Sequence, residues 1–293
     1  MEKLKRGYYT ALGTPIDNNG NIIADALVKQ IEMQIAADAS GLLLMGSMGA
    51  QPGIKTSAYV EAVKIAADAN KGRLPLFVGV MDNSIERVLE RIDMIKDYNI
   101  DAVVMTTPFY ETSFTDELIS FFEGVADKSA KPVFLYDLPG VTKHKITYPM
   151  VEKLAKHPNI LGIKSGDIVL GRLIHNNIPD FEFLYSGLDT FDVGISYGID
   201  KVLDGMFAAT PANGKKFIHA AWDNDMEACK KHLDNIVNFR DLFIKHRVFP
   251  AFEVAMNLLG LDGRYGFTHD LVITDEAVKA EIKEFMKEIG ELW

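Results

Sequence analysis

Two residues at one spacing carry the chemistry of this sequence. Lys164 stands in Asn159-Ile160-Leu161-Gly162-Ile163-Lys164-Ser165-Gly166-Asp167, an apolar run that ends in a small polar loop. Side chains alternate faces along a strand, so Gly162 and Lys164 share one face while Leu161 and Ile163 share the other. Lysine is almost never fully buried without a partner. An amine desolvated in apolar surroundings becomes a nucleophile towards carbonyl carbon. The plain alternative is a lysine that has reached the strand end and extends its amine into solvent. Tyr136, 28 positions upstream, closes the apolar run Val133-Phe134-Leu135-Tyr136. A phenol beside a lysine is the pair needed to form and break an imine. The amine adds to a ketone, and the hydroxyl moves protons between carbinolamine, imine and substrate.

A third element is the turn Gly46-Ser47-Met48-Gly49. Two glycines around two ordinary residues allow backbone N–H groups to converge on an anion, here a carboxylate. Alone, such a turn is a plain loop. Other polar residues fall at the ends of apolar runs: Thr14, Asp82, Thr107 with Tyr110, Asp137, Ser165, and Ser186-Gly187.

These residues need a scaffold that brings strand ends together. Short apolar runs recur at Tyr8–Leu12, Gly41–Met45, Leu76–Val80, Ala102–Met105, Val133–Tyr136, Ile160–Lys164, Phe181–Tyr185 and Lys201–Phe207. Amphipathic segments separate them, such as 84–96, which opens on the cap Asn83-Ser84. Eight strands alternating with helices predict an α/β fold, a (β/α)8 TIM barrel, with its site at the C-terminal strand ends. The turn at Gly46 does not fit the GxGxxG spacing of a dinucleotide site, which argues against a doubly wound sheet. From Pro211 onward only helices are predicted, at 212–221, 225–246, 251–259 and 274–290. The expected organisation is a barrel domain over 1–224 and a C-terminal helical extension over 225–293 packed on it.

A length of 293 residues with 48% hydrophobic content supports a large core, and a formal charge of -10 argues against nucleic acid or an anionic membrane as partner. The lone Cys229 excludes an internal disulfide framework and fits a reducing, cytoplasmic setting; on its helical stretch it reads as a small core filler. No signal peptide or membrane span is evident. The seven histidines show no paired ligand spacing, so neither a metal nor another cofactor is expected. A lysine carrying pyridoxal phosphate would need a glycine-rich phosphate cradle, and none is evident.

The chain resembles the dihydrodipicolinate synthase/N-acetylneuraminate lyase family of class I, Schiff-base pyruvate aldolases, over essentially its whole length. Gly162-Ile163-Lys164-Ser165-Gly166-Asp167 matches the family's lysine motif, and Tyr136-Asp137-Leu138-Pro139 its Y-N-x-P stretch at the same spacing. Gly46-Ser47-Met48-Gly49-Ala50 matches the G-T-T-G-E turn, and Thr107-Pro108-Phe109-Tyr110 the T-P-[YF]-Y segment. The resemblance implies that Lys164 forms an imine with pyruvate and that Tyr136 is the acid and base at its centre. It implies that Ser47 links Tyr136 to Tyr110 in a proton relay, with Tyr110 supplied by a neighbouring subunit of a homo-oligomer, a dimer or tetramer. The Ser47-Met48 backbone would take the pyruvate carboxylate. Asp189 lies where sialic acid lyases hold substrate hydroxyls, and Gly187 and Gly205 complete the candidate substrate contacts.

The departures bear on the substrate. Met48 replaces a threonine, Ala50 a glutamate and Asp137 an asparagine, and the loop after Lys164 is about two residues shorter than usual. Val141 stands where synthases carry an arginine that grips the carboxylate of aspartate semialdehyde, leaving Lys143 or Lys145 as possible substitutes. The expected function is therefore a lyase or aldolase that interconverts a 2-oxo-3-deoxy sugar acid, or a related 2-oxo acid, with pyruvate and an aldehyde. The alternatives are dihydrodipicolinate synthase itself and a non-catalytic member that binds a 2-oxo acid.

Overall fold

The computed structural model describes residues 2–292. Eight parallel strands close into a barrel in the order β1 to β8: Gly7–Ala11, Gly41–Leu44, Leu76–Gly79, Ala102–Thr106, Val133–Tyr136, Ile160–Ser165, Glu182–Tyr185 and Lys201–Asp204. All eight expected strands form, and helices separate them. β8 is shorter than the expected Lys201–Phe207. The Asp204 carboxylate accepts the Met206 N–H at 2.8 Å, and a short helix, Met206–Ala209, begins there. β4 runs one residue past its expected end, to Thr106.

Strand alternation splits the core in two. Outward side chains pack under the helices, whereas Tyr9, Leu43, Phe77, Val104, Phe134 and Leu203 fill the barrel interior. Ring centroids of Phe77 and Phe134 lie 5.1 Å apart, which plugs the barrel below its C-terminal mouth. Gly162 is required by close approach: a Cβ there would sit 2.4 Å from Phe134 Cε1 and 2.5 Å from the Glu182 carbonyl oxygen. This gap lets Lys164, two residues on, stand on the inner face above the aromatic plug.

The helix after β3, Ile85–Ile95, starts as expected, with Ser84 as its N-cap accepting the Arg87 N–H. The C-terminal helices are Pro211–Trp222, Met226–Lys245, Val248–Leu258 and Glu276–Glu288. The third begins three residues before its expected start at Ala251. Pro250 lies within its first turn, where the missing N–H has no partner to lose. The chain end is fastened to the barrel by Glu291, which accepts the N–H groups of Ala212 and Asn213 at the start of Pro211–Trp222. A carboxylate there complements the helix dipole. Phe239 stacks on Phe285 at 5.4 Å and meets Phe243 at 4.5 Å, so these helices share an apolar core. Cys229 is buried in that layer, and burial pushes its thiol up to about 11, as a core filler requires. Among the described residues, no helix is long and apolar enough to cross a membrane.

Candidate active site

Tyr136 ends β5 and is the register partner of Lys164 in β6, so both side chains enter the barrel at one level. Lys164 Nζ lies 3.0 Å from Tyr136 Oη and 4.2 Å from the ring centroid. Both residues are buried, at 5% and 4% exposure, so the lysine does not extend into solvent. Ser47 Oγ donates to the same phenol oxygen at 3.3 Å. A phenol oxygen has two lone pairs, and accepting both bonds leaves its own proton free for a substrate atom. The three residues come from β5, β6 and the turn after β2, and the fold brings them together.

That turn is strained. Met45 and Ala50, on either side of it, adopt φ of 57° and 50°, left-handed values that cost a non-glycine residue roughly 1–2 kcal/mol. Among the described residues, neither the Ser47 N–H nor the Met48 N–H donates to a protein acceptor. Strain held beside free donors fits a preformed anion site. Met48 lies flat on Gly205, where a Cβ would come 2.6 Å from Met48 Cε and 2.8 Å from Met48 Cβ. The two residues therefore close the β8 side of the mouth against each other.

The outer walls are held by polar contacts. Asn83 Oδ1 accepts the N–H groups of Phe109 and Tyr110 at 2.8 and 2.9 Å. His144 Nε2 accepts the Ser113 N–H at 2.8 Å, so its Nδ1 carries the hydrogen and donates to the Pro108 carbonyl at 3.1 Å. Asp137 accepts from Ser165 Oγ at 2.7 Å, from the Ile146 N–H at 2.9 Å and from Lys145. Lys145 also meets Asp167 at 3.1 Å. Burial disfavours its charge, but the two carboxylates outweigh this and hold it above the usual lysine range. Asp82 is engaged by Arg87 and Arg91.

Other expected site residues stand apart from this centre. Tyr110 is 86% exposed on the rim, and among the described residues its hydroxyl has no partner within the chain. Asp189 is gripped by Arg240 at 2.6 and 2.8 Å, and this pairing holds its carboxyl below the usual range. Gly187 packs on the Tyr185 hydroxyl, where a Cβ would lie at 2.3 Å. Lys145 is committed to two carboxylates and Lys143 to the Gly140 carbonyl, so neither supplies the cation missing at Val141. The sequence reading missed Asn83 and His144 as positioning residues, because their partners lie 26 to 36 residues away. It also missed Thr106, whose alternation with Ala102 and Val104 was a usable signal. Among the described residues, no three His, Cys, Asp or Glu side chains gather as a metal site.

A buried lysine bonded to a phenol in the mouth of an eight-stranded barrel is an arrangement suited to carbonyl chemistry through an amine. Residues 4–289 match the Dihydrodipicolinate synthetase family, and the chain belongs to it. It is thus an enzyme of the class I aldolase/lyase type. A 4-hydroxy-tetrahydrodipicolinate synthase of Stutzerimonas stutzeri is 26% identical over 290 residues, 98% of this chain and 99% of that one. Among solved structures, a prophage protein of the dihydrodipicolinic acid synthase family from E. coli K12, in complex with pyruvate, superposes with a TM-score of 0.87 at 23% identity, covering 98% and 99%. An N-acetylneuraminate lyase from Mycoplasma synoviae gives 0.85 at 20% identity, covering 97% of each chain. These two likenesses show the fold.

Proposed function

We propose that the protein cleaves, or forms, a 2-oxo acid through an imine on Lys164, with pyruvate and an aldehyde as the other side of the reaction. The observation that carries this is the 3.0 Å contact between Lys164 Nζ and Tyr136 Oη inside a buried mouth. The amine adds to the 2-oxo carbon, the Tyr136 hydroxyl gives its proton to the departing water, and a protonated imine and a Tyr136 phenolate result. Tyr136 takes the proton from the C4 hydroxyl, the C3–C4 bond breaks, and its electron pair flows into the iminium to give an enamine. The aldehyde departs, C3 is protonated, and water releases pyruvate and free lysine. The free N–H groups of Ser47 and Met48 are suited to hold the substrate carboxylate throughout. The pyruvate complex of the E. coli prophage protein supports this choice of ligand.

Tyr110 takes part across a subunit boundary in this scheme. An 86% exposed tyrosine whose backbone is pinned by Asn83 is suited to reach a second copy's Ser47. A 2-oxo-3-deoxy sugar acid remains a substrate class for the site, but Asp189 would hold its hydroxyls only in competition with Arg240. The second reading is 4-hydroxy-tetrahydrodipicolinate synthase, the name carried by the Stutzerimonas stutzeri relative. Val141 and the commitment of Lys145 weigh against it, because among the described residues an anionic semialdehyde finds no free cation at that wall. The test is pyruvate release from a panel of 4-hydroxy-2-oxo acids, run beside condensation of pyruvate with aspartate semialdehyde. Turnover in the first and none in the second is expected. Efficient condensation with the semialdehyde would reverse the order of the two readings.

A further inference from the structure

The mouth continues, on its β4 and β5 side, into a cavity of about 270 Å³. Ser47 stands at its inner end. Its walls are Met81, Phe109, Leu138 and Val141, closed from the C-terminal helices and the loop beyond by Phe249 and Phe267. None of its lining side chains carries a charge. Ser47, one of its lining residues, bonds Tyr136, so the cavity lies next to the Lys164–Tyr136 centre. One polar atom in it lacks a partner. Thr106 is 2% exposed and aligns with Tyr136 in the β4–β5 register, and its Oγ1 makes no hydrogen bond. A buried, unpartnered hydroxyl is costly to leave so, and a ligand atom that bonds it removes the cost. Thr107 Oγ1 and the Gln51 amide are orphaned as well, but neither lines the cavity.

On the β8 side, Met48 lies on Gly205 and narrows the mouth. We infer that the substrate's aldehyde half is apolar, an aromatic or branched aliphatic group. It lies in this cavity, with the Thr106 hydroxyl as the one unpartnered polar group it meets. This deepens the proposed function and rests on it. The reasons are chemical. A semialdehyde carboxylate or a polyhydroxylated chain would lose its hydration against Phe109, Leu138, Phe249 and Phe267 and find no charged partner there. An apolar group loses nothing there and gains the burial of its surface.

The test is competition for Lys164 in borohydride trapping, read by mass on the peptide that contains it. Pyruvate is held constant and three 2-oxo acids compete: 4-phenyl-2-oxobutanoate, 2-oxoglutarate and a 2-oxo-3-deoxy sugar acid. Each adduct forms a C–N bond with loss of water and is then reduced by borohydride. The phenyl compound is expected to replace the pyruvate adduct at a concentration about tenfold lower than either polar competitor. A factor of ten corresponds to about 1.4 kcal/mol. Val141→Arg, at an exposed wall position, should narrow or reverse that order in favour of 2-oxoglutarate, with thermal melting showing that the variant folds. A sugar acid or 2-oxoglutarate competing better than the phenyl compound would overturn the inference. So would a pyruvate adduct that the phenyl compound fails to displace, and in either case the proposed function survives. No adduct with any of the four acids would instead overturn the proposed function itself.

Discussion

Two lysines point into this barrel, one at each end, and their surroundings differ in kind. Lys201 opens β8 at the N-terminal end, 7% exposed, with Glu182 at 3.3 Å and Asp200 at 2.8 Å. Glu182 in turn accepts the Leu4 N–H at 2.9 Å, so the N-terminal segment closes that end over a satisfied ion cluster. Lys164 stands at the C-terminal mouth with similar burial, 5% exposed, and none of the ion pairs among the described residues involves it. Its partner is a phenol, and around it lie a strained turn, two free N–H groups and an orphaned hydroxyl. One end satisfies every group it buries, and that is what structure requires. The other leaves donors open, and that is what a ligand requires. Burial of a lysine therefore marks nothing by itself; the nature of its partner does.

The contrast can be broken by exchanging what each lysine is asked to do. Lys164→Ala should reduce 2-oxo acid turnover to background, measured as pyruvate release, while leaving the melting temperature close to that of the parent. Tyr136→Phe should lower kcat by on the order of 10²–10⁴-fold, the range of a lost acid and base, with an imine still trappable at a reduced rate. Lys201→Met should behave in the opposite way. It strands Glu182 in a buried position, so it should cost roughly 3–5 kcal/mol of stability in denaturant titration, with turnover per folded molecule retained. Loss of activity in Lys201→Met without loss of stability would erase the distinction between the two ends.

The smallest effect expected is electrostatic and sits at the rim. Asp167 is disfavoured as a carboxylate by burial, but the Leu170 N–H and Lys145 outweigh this and hold its carboxyl below the usual range. Its contribution is present above the ordinary carboxylate pKa and is lost as pH falls through the depressed one. Lys145, raised by Asp137 and Asp167, contributes below the ordinary lysine pKa, and this is lost as pH rises through the raised one. The stability gap between parent and Lys145→Met should therefore be flat between those two ranges and shrink at both extremes. Melting curves across pH would show it, and a gap independent of pH would remove the ion pairs from the account. Lys145 and Asp167 are both about a third exposed, so solvent and salt keep that pair's share of the gap small.

Much of this was legible in the sequence. The short apolar runs gave all eight strands, since parallel strands buried on both faces read as continuous apolar segments. Lys164 and Tyr136 could be paired because two strand ends at neighbouring positions in a barrel must meet. Strand termini were less legible: Lys201–Phe207 stays apolar through the point where Asp204 turns the chain, and apolar content alone does not separate strand from helix. Asn83 looked like a helix-cap neighbour, and nothing local shows that its amide reaches across to the Tyr110 segment. Asp189 could be placed beside the mouth, but its capture by Arg240, 51 residues away, depends on how the C-terminal helices dock. Substrate preference was the least legible, because the cavity wall gathers Met81, Leu138 and Phe249 from segments far apart in the chain.

The most direct measurement is mass mapping after incubation with pyruvate and borohydride. A reduced pyruvate adduct on the peptide containing Lys164, none on the peptide containing Lys201, and loss of the adduct in Lys164→Ala is the predicted result. No adduct in the parent protein, or an adduct that persists unchanged in Lys164→Ala, would contradict the account.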